Sequence, residues 1–103
     1  MITIPTLEEF VAAEGTRFEV RFPDITIPLD LVEAIPLPPN PQGPGVPSIV
    51  RKSPYSLLFR GSSATPLVQN TYRLTHDKLG EVDLFIVPTI QDGEEMFYTV
   101  TIN

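Results

Sequence analysis

From Thr16 onward the chain repeatedly alternates apolar and polar residues with a period of two, and nearly every connection between these runs is only a few residues long. Alternation of this kind marks strands with one wet and one dry face. Parallel neighbours need a crossover of a dozen or more residues, usually helical, and outside one proline-rich stretch these connections are too short for that. Consecutive strands are therefore expected to pair antiparallel. The architectures left are a small antiparallel barrel or a two-layer sandwich of about six strands, all-β apart from a short N-terminal helix.

The first run sets Phe18, Val20 and Phe22 against Arg17, Glu19 and Arg21, and Pro23-Asp24 turns it into a second. There Ile25, Ile27, Leu29 and Leu31 alternate with Thr26, Pro28 and Asp30. Pro28 has no N–H for a ladder, so it is expected at an edge or bulge. The same apolar parity continues to Ile35 and Leu37 but is broken by Glu33. Tyr55–Arg60 and Asn70–His76 read as further strands. In Val82–Pro88, Leu84 and Ile86 oppose Phe85 and Val87, so both faces are expected to be covered and the strand central. Asp92-Gly93 is a hairpin signal. In the strand that follows, Met96, Tyr98, Val100 and Ile102 are expected inward and Phe97, Thr99 and Thr101 outward. As the last strand it could form a sheet edge open to a partner.

Two segments depart from the alternation. Thr6-Leu7-Glu8-Glu9 has capping-box spacing, predicting a helix over about residues 7–14 with Leu7, Phe10 and Val11 on one face and Gly15 ending it. The stretch 36–53 is a proline-rich loop: six of the chain's 12 prolines fall between Pro36 and Pro47. It offers PxxP spacings such as Pro38 to Pro41, which could bind an aromatic-grooved module or form a stiff surface loop.

A chain of 103 residues is expected to form a single domain over 1–103. Its 42% hydrophobic and 19% charged content is globular, and no cysteine is present for a disulfide scaffold or thiolate site. The net charge of −6 argues against a nucleic-acid partner. No stretch reaches the ~20 apolar residues of a membrane-spanning helix. Met1–Gly15 lacks a basic region followed by a long apolar one, so no secretory signal is expected. Such a protein is expected to be cytoplasmic at synthesis and could be part of an extracellular or virion-like assembly.

Little in the sequence points to catalysis. His76 is the single histidine, and Asp77 beside it would point the wrong way to orient it as a base, so a role in capping the hairpin or packing on Tyr72 or Leu74 is expected. One histidine without cysteine makes a poor zinc site. Gly61-Ser62-Ser63 lacks the context of a nucleophile elbow. The acidic hairpin Asp92, Glu94 and Glu95 does not have EF-hand spacing and reads as a solvated turn. No metal, cofactor or catalytic residue is assigned. Glu33, on an apolar parity, needs a partner if buried, and Arg60 or Arg73 could supply one as a register-setting ion pair; a bulge at Glu33 would weaken that reading.

Several motifs resemble a bacterial family of small domains of unknown function. They are Leu7-Glu8-x-Phe10, Leu31-Val32-Glu33-Ala34-Ile35-Pro36-Leu37-Pro38, Pro54-Tyr55-Ser56-Leu57-Leu58-Phe59-Arg60-Gly61, Thr71-Tyr72-Arg73-Leu74-x-His76, and Leu79-Gly80 before Leu84-Phe85-Ile86-Val87-Pro88. The likeness covers nearly the whole chain. The resemblance implies, through genes that lie beside tail-collar fibre-type proteins, a role next to a phage-tail-like fibre. It carries no catalytic or ligand residues with it.

The expected function is thus a non-enzymatic protein-binding or structural β-domain, a component or assembly accessory of such a fibre. Its interaction candidates are Pro38, Pro41, Phe97, Thr99 and Thr101, and its expected partner is a tail-collar-type fibre protein. The alternative is a small-molecule or glycan-binding barrel with Tyr55, Tyr72, Arg60 and Arg73 at its mouth. An enzyme built on His76 with Asp77 ranks behind both.

Overall fold

The computed structural model describes residues 5–37 and 54–102. Positions 38–53 of the proline-rich loop, with Pro38 and Pro41, lie outside the described residues. The elements are a helix α1 (Leu7–Ala12) and strands β1 (Arg17–Arg21), β2 (Thr26–Pro36), β3 (Tyr55–Ser62), β4 (Asn70–His76), β5 (Gly80–Asp92) and β6 (Glu95–Ile102). The strands close into a barrel in the order β1-β2-β3-β6-β5-β4, every neighbouring pair antiparallel. Of the two expected architectures, the barrel is the one formed.

Closure corrects the expectation of a free terminal edge. Strand β6 is paired along one side with β3, from Tyr55↔Ile102 to Ser62↔Glu95, and along the other with β5, from Val87↔Thr99 to Asp92↔Glu95. Its backbone groups in these ladders already have partners. The shortest ladder is the β1–β4 seam, where only Glu19↔Thr75 and Val20↔Leu74 pair. Beyond it the rings of Phe22 and Tyr72 meet edge to face at 6.1 Å, so side-chain packing continues where backbone pairing ends.

Two bulges set which residues face the core. In β2, Leu31 pairs with Phe59 and Glu33 with Leu58, leaving Val32 as the extra residue. Parity is reset there: Ile27, Leu29 and Leu31 point inward before the bulge, and Ala34 after it. Ile35, expected inward, is 43% exposed instead. In β5, Pro88 pairs with Tyr98 and Ile90 with Phe97, so Thr89 is extra. Pro28 itself lies in a regular stretch opposite Glu19. The β2–β3 ladder stops at Asp30↔Arg60, so at Pro28 the strand is paired on one side only, the edge-like setting a missing N–H requires.

The interior is filled by Phe18, Leu29, Leu31, Leu57, Phe59, Leu74, Val82, Leu84, Ile86, Tyr98 and Val100, all almost wholly buried. Burial of each large apolar side chain of this kind contributes roughly 1.5–3 kcal/mol. The rings of Phe18 and Phe59 pack edge to face at 5.3 Å. Gly61 is small for a reason: a Cβ there would lie 2.8 Å from the Leu29 Cδ2 atom. At the tip of β5–β6, Gly93 has φ 64° while among the described residues no other residue type takes positive φ, so Gly93-Glu94 follows the type II′ pattern with glycine first.

Each end of the barrel has a plug. At one end α1 carries Phe10 into the space between Phe18 and Tyr55, with ring centroids at 6.4 and 5.9 Å. The capping box forms as expected: the Thr6 N–H donates to Glu9 Oε1 at 2.9 Å and the Glu9 N–H donates to Thr6 Oγ1 at 3.2 Å. The helix is shorter than the predicted 7–14, and its buried face is Leu7, Phe10 and the following Ala13, whereas Val11 is exposed. Its connection to β1 covers the edge of β2 that β1 does not reach: Gly15 N–H donates to the Leu31 carbonyl at 2.8 Å, and Ala34 N–H to Glu14 Oε2 at 2.8 Å. At the other end Leu67 is buried, and its N–H donates to the Tyr98 hydroxyl at 2.9 Å.

Candidate interaction face

The outer surface of the barrel divides by chemistry. Around β1, β4 and the start of β5, outward positions carry charge: Arg17, Glu19 and Arg21 on β1, Arg73 on β4, Glu81 and Asp83 on β5. Arg73 Nε donates to Asp83 Oδ1 at 2.9 Å across the β4–β5 ladder. That bond holds the Asp83 carboxyl below its usual range and raises the Arg73 guanidinium above its own.

On the opposite side, β3, β6 and the second half of β5 present a different surface. Register places Ile35, Ser56 and Thr101 side by side in one row. In the next lie Glu33, Leu58, Thr99 and Val87. A third runs Asp30, Arg60, Phe97 and Ile90. Within these rows Leu58, Thr99, Val87, Ser56, Thr101, Phe97 and Ile90 carry no charge; Glu33 and Asp30 stand on β2, and Arg60 on β3 lies between Asp30 and Phe97. Phe85, two residues before Val87 on the same side of β5, is 49% exposed, and Ile90 is 59% exposed. The outward residues expected on the last strand, Phe97, Thr99 and Thr101, are outward, with Thr99 at the centre between Leu58 and Val87. Thr89 Oγ1 lies 3.3 Å from Thr99 Oγ1, which ties the β5 bulge to this face.

The bulge at Thr89 is why Ile90 is here. Without it the parity of Ile86 and Pro88 would carry Ile90 inward; the extra residue turns it out beside Phe97. The sequence signal was Pro88 itself, since a proline inside a strand points to a bulge or edge. Phe85 was expected to be covered by a second layer, but a closed barrel has one packed face per strand, and Phe85 lies on the other.

The ion pairs of Arg60 and Arg73 differ from those expected with Glu33. Arg60 bridges Asp30 Oδ2 and Glu95 Oε2, each at 3.5 Å, and Asp30 also meets Arg17 Nε at 3.7 Å. Arg73 pairs with Asp83. Glu33 is exposed because the bulge at Val32 moves it outward, and among the described residues it makes no ion pair. Arg17, Asp30, Arg60 and Glu95 form a charged chain from β1 to β6 along one border of the uncharged face.

The residues expected at a ligand-binding mouth do not converge. Tyr55 lies beneath α1, where its hydroxyl donates to the Pro5 carbonyl. Tyr72 is at the other end against Phe22, its hydroxyl donating to the Val68 carbonyl at 2.8 Å. Arg60 and Arg73 are on the outer surface, and the interior holds the barrel's own side chains.

His76 caps its turn as expected. Its Nδ1 accepts from the N–H groups of Lys78 at 3.0 Å and Leu79 at 3.1 Å. Its ring packs on Phe18, 4.3 Å between centroids. Asp77 is exposed, and among the described residues no carboxylate bonds the ring. Among the described residues no three His, Asp or Glu side chains are grouped to hold a metal ion. In the same residues no helix is long and apolar enough to cross a membrane.

A family model described as Domain of unknown function (DUF6916) matches residues 5–102. The chain belongs to this family. The match takes in α1 and all six strands, so the barrel, both plugs and the uncharged face lie within the DUF6916 domain. No curated protein and no solved structure was found to match the chain.

Proposed function

We propose that this DUF6916 domain is a non-enzymatic protein-binding or structural module that docks through the outer face of β3, β6 and β5, as a component or assembly accessory of a phage-tail-like fibre. The observation that carries the reading is the uncharged, partly aromatic strip Leu58, Phe85, Val87, Ile90, Phe97, Thr99 and Thr101 on a chain whose net charge is −6. A water-facing sheet surface normally alternates to polar and charged residues, as β1 does here. The cores of protein interfaces are depleted in charge and enriched in aromatic residues, and an exposed apolar patch marks such a site.

The docking mode follows from closure. Strand addition has no free ladder to use along Glu95–Thr99 of β6, which is paired on both sides, so a partner on this face would be bound by side chains lying flat on the sheet. The fibre setting is supported by the sequence resemblance, which supplies the partner to try first: a tail-collar-type fibre protein encoded beside the domain. The test is co-expression of the two followed by size-exclusion chromatography. Co-elution as one complex supports the proposal, and elution of two separate species at micromolar concentration removes it.

A further inference from the structure

We infer that His76 is an acid-sensitive latch holding α1 over the end of the barrel, so that protonating its ring releases the helix while the strands stay paired. This goes beyond the docking role proposed above and rests on different residues.

The latch is a directed chain of hydrogen bonds. Two backbone N–H groups, from Lys78 and Leu79, point at His76 Nδ1, so that nitrogen acts as an acceptor and carries no proton. The neutral ring therefore bears its proton on Nε2, which lies 2.8 Å from Thr16 Oγ1 and donates to it. The Thr16 hydroxyl in turn donates to the Ala13 carbonyl at the C-terminal cap of α1. Every atom in the chain is satisfied only when His76 is neutral. An imidazolium would need a proton on Nδ1, where two donors already converge.

The surroundings oppose charging as well. The ring is 6% exposed and packed on Phe18, which also contacts Phe10 of the helix. Burial lowers the ring's pKa below the ordinary 6.5, with Asp77 raising it and Lys78 lowering it again. The charged groups on neighbouring elements are otherwise engaged or set apart in sequence. Beside Thr16, Glu14 accepts from Ala34 N–H and Arg17 meets Asp30; on β5, Glu81 follows Gly80, the register partner of His76.

The helix is the element that gives way because it has least to hold it. A helix of six residues is not stable in isolation and depends on its docking contacts. Two of its attachments to the barrel meet at the His76 ring: the chain through Ala13, Thr16 and His76, and Phe10 packed against Phe18, on which the ring lies. Expelling a charged ring from beneath Phe18 disturbs both, leaving the bonds of Pro5, Glu14 and Gly15 to Tyr55, Ala34 and Leu31. The long ladders β3–β6 and β4–β5 involve these contacts only at their end pairs, Tyr55↔Ile102 and His76↔Gly80.

With a single histidine in the chain, the experiment reads one ring. Nitrogen-15 NMR of the full, untagged protein gives its tautomer and titration midpoint, and amide hydrogen exchange is followed over the same pH series. The expected result is a neutral ring protonated at Nε2 with a midpoint below 6.5. Protection of α1 amides should then fall by up to about tenfold for each pH unit between 6.5 and that midpoint and level off below it, while Leu57 and Val100 keep theirs. In His76→Asn the side-chain oxygen can still accept from Lys78 and Leu79 but takes no proton, and helix protection should not vary over this range. A ring protonated at Nδ1, helix and strands lost together, or a His76→Asn protein with the unchanged pH response would each overturn the latch. The tautomer measurement on the unmodified chain decides the matter even where the variant does not fold.

Discussion

Leu31 and Glu33 are two positions apart on β2, yet they pair with the adjacent residues Phe59 and Leu58 of β3. The unmatched Val32 between them turns Glu33 to solvent and Ala34 into the core. An acidic residue that would have been buried in a regular strand is thereby exposed without needing a partner. Replacing Glu33 by Gln is expected to change stability by no more than about 0.5 kcal/mol, the range of ordinary surface substitutions. Replacing Ala34 by Asp, which puts an unpaired carboxylate in the core, is expected to destabilise by several kcal/mol. Urea denaturation of the two variants checks the bulge, and the opposite ranking would mean that the register is wrong.

Gly61 lies against Leu29, one of the fully buried side chains. Gly61→Ala forces a methyl group into that contact, and overpacking of a tight core costs about 1–3 kcal/mol. Thermal unfolding should show a lowered midpoint, and Gly61→Ala combined with Leu29→Val should lose less than the sum of the two single changes.

Tyr98 serves both the core and the second plug, since its hydroxyl accepts from the buried Leu67 N–H. Tyr98→Phe keeps the ring and strands the amide, which costs about 1–3 kcal/mol. The effect should appear first as faster exchange of the Leu67 amide. Burial also raises the pKa of the Tyr98 hydroxyl above 10.0, an effect partly offset by that amide. Tyr55 is raised as well, by burial and then by Glu9 and Glu8. A phenol whose folded pKa is raised supports the fold fully below the unfolded value, so stability should decline as pH climbs above 10.0, and less steeply in Tyr98→Phe.

Much of this fold is legible in local pattern. The period-two runs, the Thr6–Glu9 capping box and the Asp92-Gly93 hairpin are set by neighbours a few residues apart, and each is present, although Phe22, Ile25 and Ile35 on the apolar parity are exposed. The bulges at Val32 and Thr89 show only indirectly, as Glu33 on an apolar parity and as Pro88 inside a strand. Closure is not written locally at all. The pairing of β3 with β6 and of β1 with β4 is chosen by how Phe18, Phe59 and Tyr98 fill a shared interior, a property of the whole chain. For the same reason the last strand reads as an edge until β3 is known to lie beside it. The outward positions Phe97, Thr99 and Thr101 follow from alternation, whereas their union with Leu58, Phe85 and Ile90 needs the barrel's strand order.

The proposed docking depends on the uncharged face, with Thr99 at its centre between Leu58 and Val87. The most direct measurement is the affinity of the domain for the tail-collar-type fibre protein, by titration calorimetry, for the unmodified chain and for Thr99→Arg and Phe85→Glu. Both variants point outward and should keep the barrel's amide spectrum. A drop of at least tenfold in affinity, about 1.4 kcal/mol, is the result this face requires of each. Undiminished binding by both folded variants would contradict it.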